Sequence, residues 1–139
     1  MTPENVKQSA VGDGNIQIGG DANIQIGTKT PPAGFEYTIT VGHDVKGTPT
    51  LRISDVASCI MRELKKNGID AATVREAGGY WEDRWEKSTE IRIVWPSSED
   101  KGDAVKRACS AVCEELDQDA VLYTKTELSE VELVKRGEG

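Results

Sequence analysis

Between Phe35 and Val41 every second residue is apolar. Phe35, Tyr37, Ile39 and Val41 alternate with Glu36, Thr38 and Thr40, the period of a strand that buries one face. VGHDVKGTPT then reads as a long turn. From Asp55 the period lengthens: Val56, Ala57, Ile60, Met61 and Leu64 share one helical face, with Ser54 placed to cap the helix and Asn67-Gly68 to stop it. IDAATVREA (69–77) reads as a second strand, GGYWEDRWEKS (78–88) as a loop, and TEIRIVW (89–95) as a third strand closed by Pro96. A second helix is expected over 99–117, with Ala104, Val105, Ala108, Cys109, Val112, Cys113 and Leu116 as its buried stripe. DAVLYTKTE (119–127) is the last strand. LSEVELV (128–134) either extends the sheet or forms an edge strand, and KRGEG frays.

The order is β-α-β-β-α-β, which predicts an α+β, ferredoxin-like domain over 35–139 with two helices on one face of an antiparallel sheet. The other face must be solvated or covered by a second subunit. Upstream the pattern differs. GDGNIQIG (12–19) and GDANIQIG (20–27) form a repeat of period eight whose Ile-Gln-Ile units put both isoleucines on one side. Two such rungs are too small to stand alone in water. Residues 1–27 are therefore expected to oligomerise, with Ile16, Ile18, Ile24 and Ile26 in a core shared between chains. TKTPPAG (28–34) is a Pro-rich linker.

The charge balance narrows the partners. Seventeen Lys and Arg against 24 Asp and Glu give −7, which disfavours duplex DNA but not a compact anion gripped by a few basic side chains. No run approaches the roughly 18 apolar residues of a membrane span, and MTPENVKQ lacks a signal-peptide pattern, so no membrane partner and a cytoplasmic location are expected. Cys59, Cys109 and Cys113 make no disulfide framework and read as small buried hydrophobes. One histidine and no Cys-x-x-Cys leave no expected metal site, and no cofactor is implied.

Candidate chemistry gathers in 78–88. Tyr80, Trp81 and Trp85 lie beside Arg84 and Lys87, and Gly78-Gly79 allows a positive φ or a close backbone approach to a ligand. Tryptophan stacks on nucleobases and arginine forks onto phosphates. Arg75 and Arg92 on the flanking strands add phosphate contacts. The competing reading is a long β-hairpin whose aromatics fill a subunit interface, which spacing alone slightly favours. His43 with Asp44 could be a base with an orienting acid, though a solvated turn histidine fits better. Glu82, Asp83, Glu86 and Glu90 read as charge balance for their basic neighbours.

The body resembles the phage anti-Thoeris proteins that sequester cyclic ADP-ribose-type signals. Val41-Gly42, Gly78-Gly79-Tyr80, Glu86-Lys87-Ser88, and Gln118, Val121, Leu122 and Thr124 in DQDAVLYT carry the resemblance in order across 35–126. It implies a non-catalytic sponge: a hexamer built from dimers about a threefold that holds signals between subunits, with cyclic oligonucleotides as further ligands. Gly79 and Tyr80 carry over as ligand contacts, and Gln118 and Thr124 as lining or structural positions. Trp81, Arg84, Trp85, Arg75 and Arg92 rest on the stacking and phosphate argument alone.

The resulting expectation is a homo-oligomer, trimer or hexamer, that binds a cyclic nucleotide and is not an enzyme. No catalytic residues are assigned. An adaptor module without a small ligand, or a nucleotide-processing enzyme using His43 as base, is the alternative.

Overall fold

A computed structural model describes residues 30–137; the side chain of Trp81 is outside that description. The octapeptide repeat, with Ile16, Ile18, Ile24 and Ile26, lies outside the described residues. The elements are β1 (Gly34–Gly42), β2 (Asp44–Val45), β3 (Thr48–Pro49), α1 (Ile53–Lys66), β4 (Thr73–Trp81), β5 (Arg84–Trp95), α2 (Gly102–Glu115) and β6 (Leu122–Leu128). β2 and β3 form a small ribbon; the other four strands make one antiparallel sheet in the order β4-β5-β1-β6. That order, with both helices on one face, is the ferredoxin-like α+β arrangement the alternation predicts.

The core lies between the sheet and the helices. Phe35, Tyr37, Ile39 and Val41 from β1 and Ile91 and Ile93 from β5 meet Val56, Cys59, Ile60 and Leu64 from α1 and Val105, Ala108, Cys109 and Val112 from α2. Burial of this apolar surface is the main force that fixes the register, because a one-residue slip of β1 or β5 would turn that strand's apolar side chains to solvent.

Several boundaries differ from expectation, each for a local reason. α1 starts from Arg52 rather than Ser54, because the Asp55 carboxylate accepts the Arg52 N–H at 2.8 Å and ties off the first turn. Ile69 begins no strand. Gly68 has φ 84°, its N–H donates to the Lys65 carbonyl, and the Ile69 N–H donates to the Leu64 carbonyl. This is a Schellman stop, whose following hydrophobe is buried as part of the cap.

The segment 78–88 is not a loop. β4 and β5 run into it from both sides, leaving only Glu82 and Asp83 as the turn, with φ of 48° and 64°. Two successive left-handed residues give the turn twist that a two-residue hairpin requires. The long turn after β1 is also partly ordered, as the β2–β3 ribbon closed by Lys46 and Gly47, both at positive φ. At the far end, 129–134 adds no strand; Val131 instead packs beside Gly34.

Candidate functional site

Beyond the last buried row of the sheet, the β4–β5 hairpin leaves the core. Thr89 is fully buried, but two rows further out Tyr80 and Trp85 face each other and are 62% and 74% exposed. Their rings meet edge to face at 5.7 Å between centroids and 82° between planes. Exposed aromatics of this size are uncommon unless something covers them.

Strand geometry divides the expected site in two. Neighbouring residues on a strand point to opposite faces. Tyr80 and Trp85 share the side that carries the core further along. Gly79, Arg84, Arg75, Arg92 and Thr124 lie on the opposite, open side of the sheet, and Thr124, on β6, is paired with Thr38 of β1, far from the turn. The expectation of one loop joining stacking rings to adjacent guanidinium groups is thus corrected, because Arg84 and Trp85 cannot face the same way.

The arginines also have partners. Arg84 binds the Asp44 carboxylate and donates to the Gly47 carbonyl at 3.2 Å. Arg75 pairs with Glu90, its direct cross-strand neighbour, and Arg92 with Glu36 at 3.0 Å. These contacts are cross-strand charge balance.

Asp44 is a junction. Its N–H donates to Glu86 Oε2 at 3.0 Å, its carbonyl accepts from Gln118 Nε2 at 2.9 Å, and its carboxylate holds Arg84. A Cβ at Gly42 would run into the Glu86 carboxylate, so any side chain there would push Glu86 off the Asp44 N–H. Gly42, Glu86 and Gln118, three residues that carry the family resemblance, therefore meet at one structural node. Gly78 and Gly79 are different: neither has a positive φ, and a Cβ at Gly79 would touch nothing within 4 Å. Their bareness serves no contact within the described fold.

His43 is not the solvated turn residue expected. It is 3% exposed, with Nε2 2.7 Å from Thr89 Oγ1. Burial lowers its pKa, against the opposing pull of Glu76 and Glu86, and keeps the ring neutral. Asp44 is turned to Arg84 and does not orient it. The cysteines sit buried or half-buried among the helices, and burial pushes the Cys109 thiol up to about 11. Among the described residues, no three His, Cys, Asp or Glu side chains could hold a metal ion, and no helix is long and apolar enough to cross a membrane.

No protein-family model and no curated protein matches the chain. Solved structures do. A phage SAM lyase in complex with S-methyl-5'-thioadenosine is similar with a TM-score of 0.61 at 24% identity, over 74% of this chain and 88% of that one. A phage SAM lyase in its apo state gives 0.57 at 23% identity, over 72% and 86%. A DUF3240 family protein from Shewanella baltica gives 0.52 at 11% identity, over 73% and 97%.

At these identities the likeness establishes a fold shared with a phage protein. It lends no specific support to an anti-Thoeris sponge. The expectation that the protein is not an enzyme is corrected as well: a lyase uses this fold over most of the chain's length, so the fold gives no ground for ruling catalysis out.

Sequence reasoning missed the Asp44 junction and the side of the hairpin on which Lys87 stands. The second follows from a two-residue period once Glu82-Asp83 is taken as a turn; the first rests on tertiary contacts 40 and more residues apart in sequence, which no local pattern signals.

Proposed function

We propose that this protein is a phage-type anti-defence enzyme that binds an adenosyl-bearing small molecule at the Tyr80–Trp85 pair, with S-adenosylmethionine as its substrate. The observation that carries this reading is the exposed aromatic pair at the hairpin end of a fold shared with a phage SAM lyase. Base-on-aromatic stacking contributes about 1–3 kcal/mol per base, enough to position a nucleoside.

The chemistry needs no acid or base from the protein. The C–S bond of a sulfonium breaks with its electron pair going to sulfur, and the thioether leaves neutral without being protonated. The substrate's own carboxylate can close onto the γ-carbon as that bond opens, giving a lactone and S-methyl-5'-thioadenosine. Atoms and charge balance with no outside nucleophile. The protein's part is to hold the reacting atoms in line and exclude competing conformers.

The test is incubation with S-adenosylmethionine followed by mass spectrometry. S-methyl-5'-thioadenosine should accumulate with the wild-type protein and fall at least tenfold with Trp85→Ala. Absence of turnover by the wild-type protein would overturn the lyase reading.

A second reading changes the ligand. Gly42, Glu86 and Gln118 converge on Asp44, which keeps the anti-Thoeris resemblance in play and favours a cyclic ADP-ribose-type signal or a cyclic oligonucleotide on the same platform. Calorimetry with cyclic ADP-ribose isomers, then recovery of the ligand after denaturation, separates the two.

A further inference from the structure

The side of the hairpin that carries Tyr80 and Trp85 continues toward the core through Gly78, paired with Lys87, and then Glu76, paired with the buried Thr89. Successive rows on one face lie about 7 Å apart, so Glu76 stands about 13 Å along β4 from the aromatic row. That span has a bare floor. A Cβ at Gly78 would meet only the Glu86 carbonyl, at 4.0 Å, so the fold itself does not require glycine there.

Charge distinguishes this strip from the rest of the sheet. Arg75, Arg84 and Arg92 are each bound to a carboxylate. Glu76 and Lys87, both exposed, have no ion pair among the described residues, with each other or with a third group. One anion and one cation with no ion-pair partner among the described residues thus stand diagonally across a glycine floor, beside two exposed rings, and both act through space on the buried His43.

We infer that Glu76 and Lys87 form a clamp for an amino-acid zwitterion, Lys87 taking the carboxylate and Glu76 the ammonium, so that the strip binds a nucleoside carrying an amino-acid tail. The inference rests on the reading of Tyr80 and Trp85 as the nucleoside platform. The bare backbone at Gly78 lets the ribose and the tail lie flat between the rings and the charges. Tail-less nucleosides would use the rings alone.

Two ligands separate the clamp from the platform. S-adenosylhomocysteine carries the amino-acid tail without a sulfonium to cleave, and S-methyl-5'-thioadenosine lacks the tail. In calorimetric titrations of the full chain, Lys87→Gln and Glu76→Gln should each weaken S-adenosylhomocysteine binding about fivefold, the factor that corresponds to one exposed ion pair. Both should leave S-methyl-5'-thioadenosine unchanged, whereas Trp85→Ala should weaken both ligands. Charge variants that weaken both ligands equally, or neither, overturn the clamp while the platform stands. A wild-type protein that binds neither ligand overturns the platform and the clamp together. Selective binding without turnover of S-adenosylmethionine supports the clamp and removes only the lyase reading.

Discussion

Arg84 reaches from the hairpin to the carboxylate of Asp44, forty residues away in sequence, and pins the β2–β3 ribbon against β5. Asp44 is largely buried, while Arg84 is half exposed. The contact is therefore a partly screened pair whose anionic end depends on it more than its cationic end does.

Arg84→Ala should cost about 1 kcal/mol of stability, the upper range for a pair with one exposed partner. A double-mutant cycle with Asp44→Ala in urea denaturation measures it, and a coupling near zero would refute the role. Because Arg84 faces away from Tyr80 and Trp85, ligand affinity should change less than twofold in the same variant.

Gly42→Ala places a methyl group where the Glu86 carboxylate lies. The carboxylate can swing away, but it then releases the Asp44 N–H. The expected loss is about 1–2 kcal/mol, the cost of a half-buried donor left unpaired. Adding Glu86→Ala should relieve the clash without restoring the bond, so the double variant should be no less stable than Gly42→Ala.

Gly78→Val should act in opposite directions on stability and binding. A branched side chain suits a strand, and no atom lies close enough to oppose it, so unfolding should move to higher denaturant by about 0.5–1 kcal/mol. The same side chain fills the floor beside the rings, and affinity for S-methyl-5'-thioadenosine should fall at least tenfold. A stabilised variant with full affinity would show that the bare strip is not used.

The buried, neutral His43 makes stability depend on pH. In the unfolded chain an imidazole takes up its proton near pH 6.5, while the folded one resists protonation because burial lowers its pKa. The unfolded state then binds more protons, so stability is complete above about pH 6.5 and declines as the pH falls below it. Asp100 acts in a lower window. Lys125 and the Gly102 N–H hold its carboxyl below the ordinary 3.8, so its contribution fades only in stronger acid. His43 is the chain's one histidine, so His43→Gln should flatten urea midpoints measured from pH 7.5 to 5.5. A slope unchanged by this substitution would contradict the account.

The strands and helices that bury a face were legible because burial imposes a period. β1 alternates cleanly and α1 carries its stripe, so the βαββαβ order followed. What was hidden is set by single dihedral angles and by tertiary contacts. Glu82 and Asp83 make a left-handed turn without the Asn-Gly or Asp-Gly signal, so the local pattern read as a loop, although the spacing of the aromatics already favoured the hairpin that is found. Ile69 is apolar because it closes a helix cap, not because it starts a strand. The aromatic half of the candidate site was visible in composition, but its separation from the arginines needed the pleat.

β1 and β6 meet at Gly34 and Leu128, at the opposite end of β5 from the Glu82–Asp83 turn. Trp85 and Trp95 are ten residues apart on that strand, about 33 Å at the usual rise. The Gly34 and Leu128 ends of β1 and β6 thus stand at one pole of the sheet and the aromatic pair at the other. A fluorophore placed beside Leu128 would therefore lie too far from the pair to be quenched by contact with it.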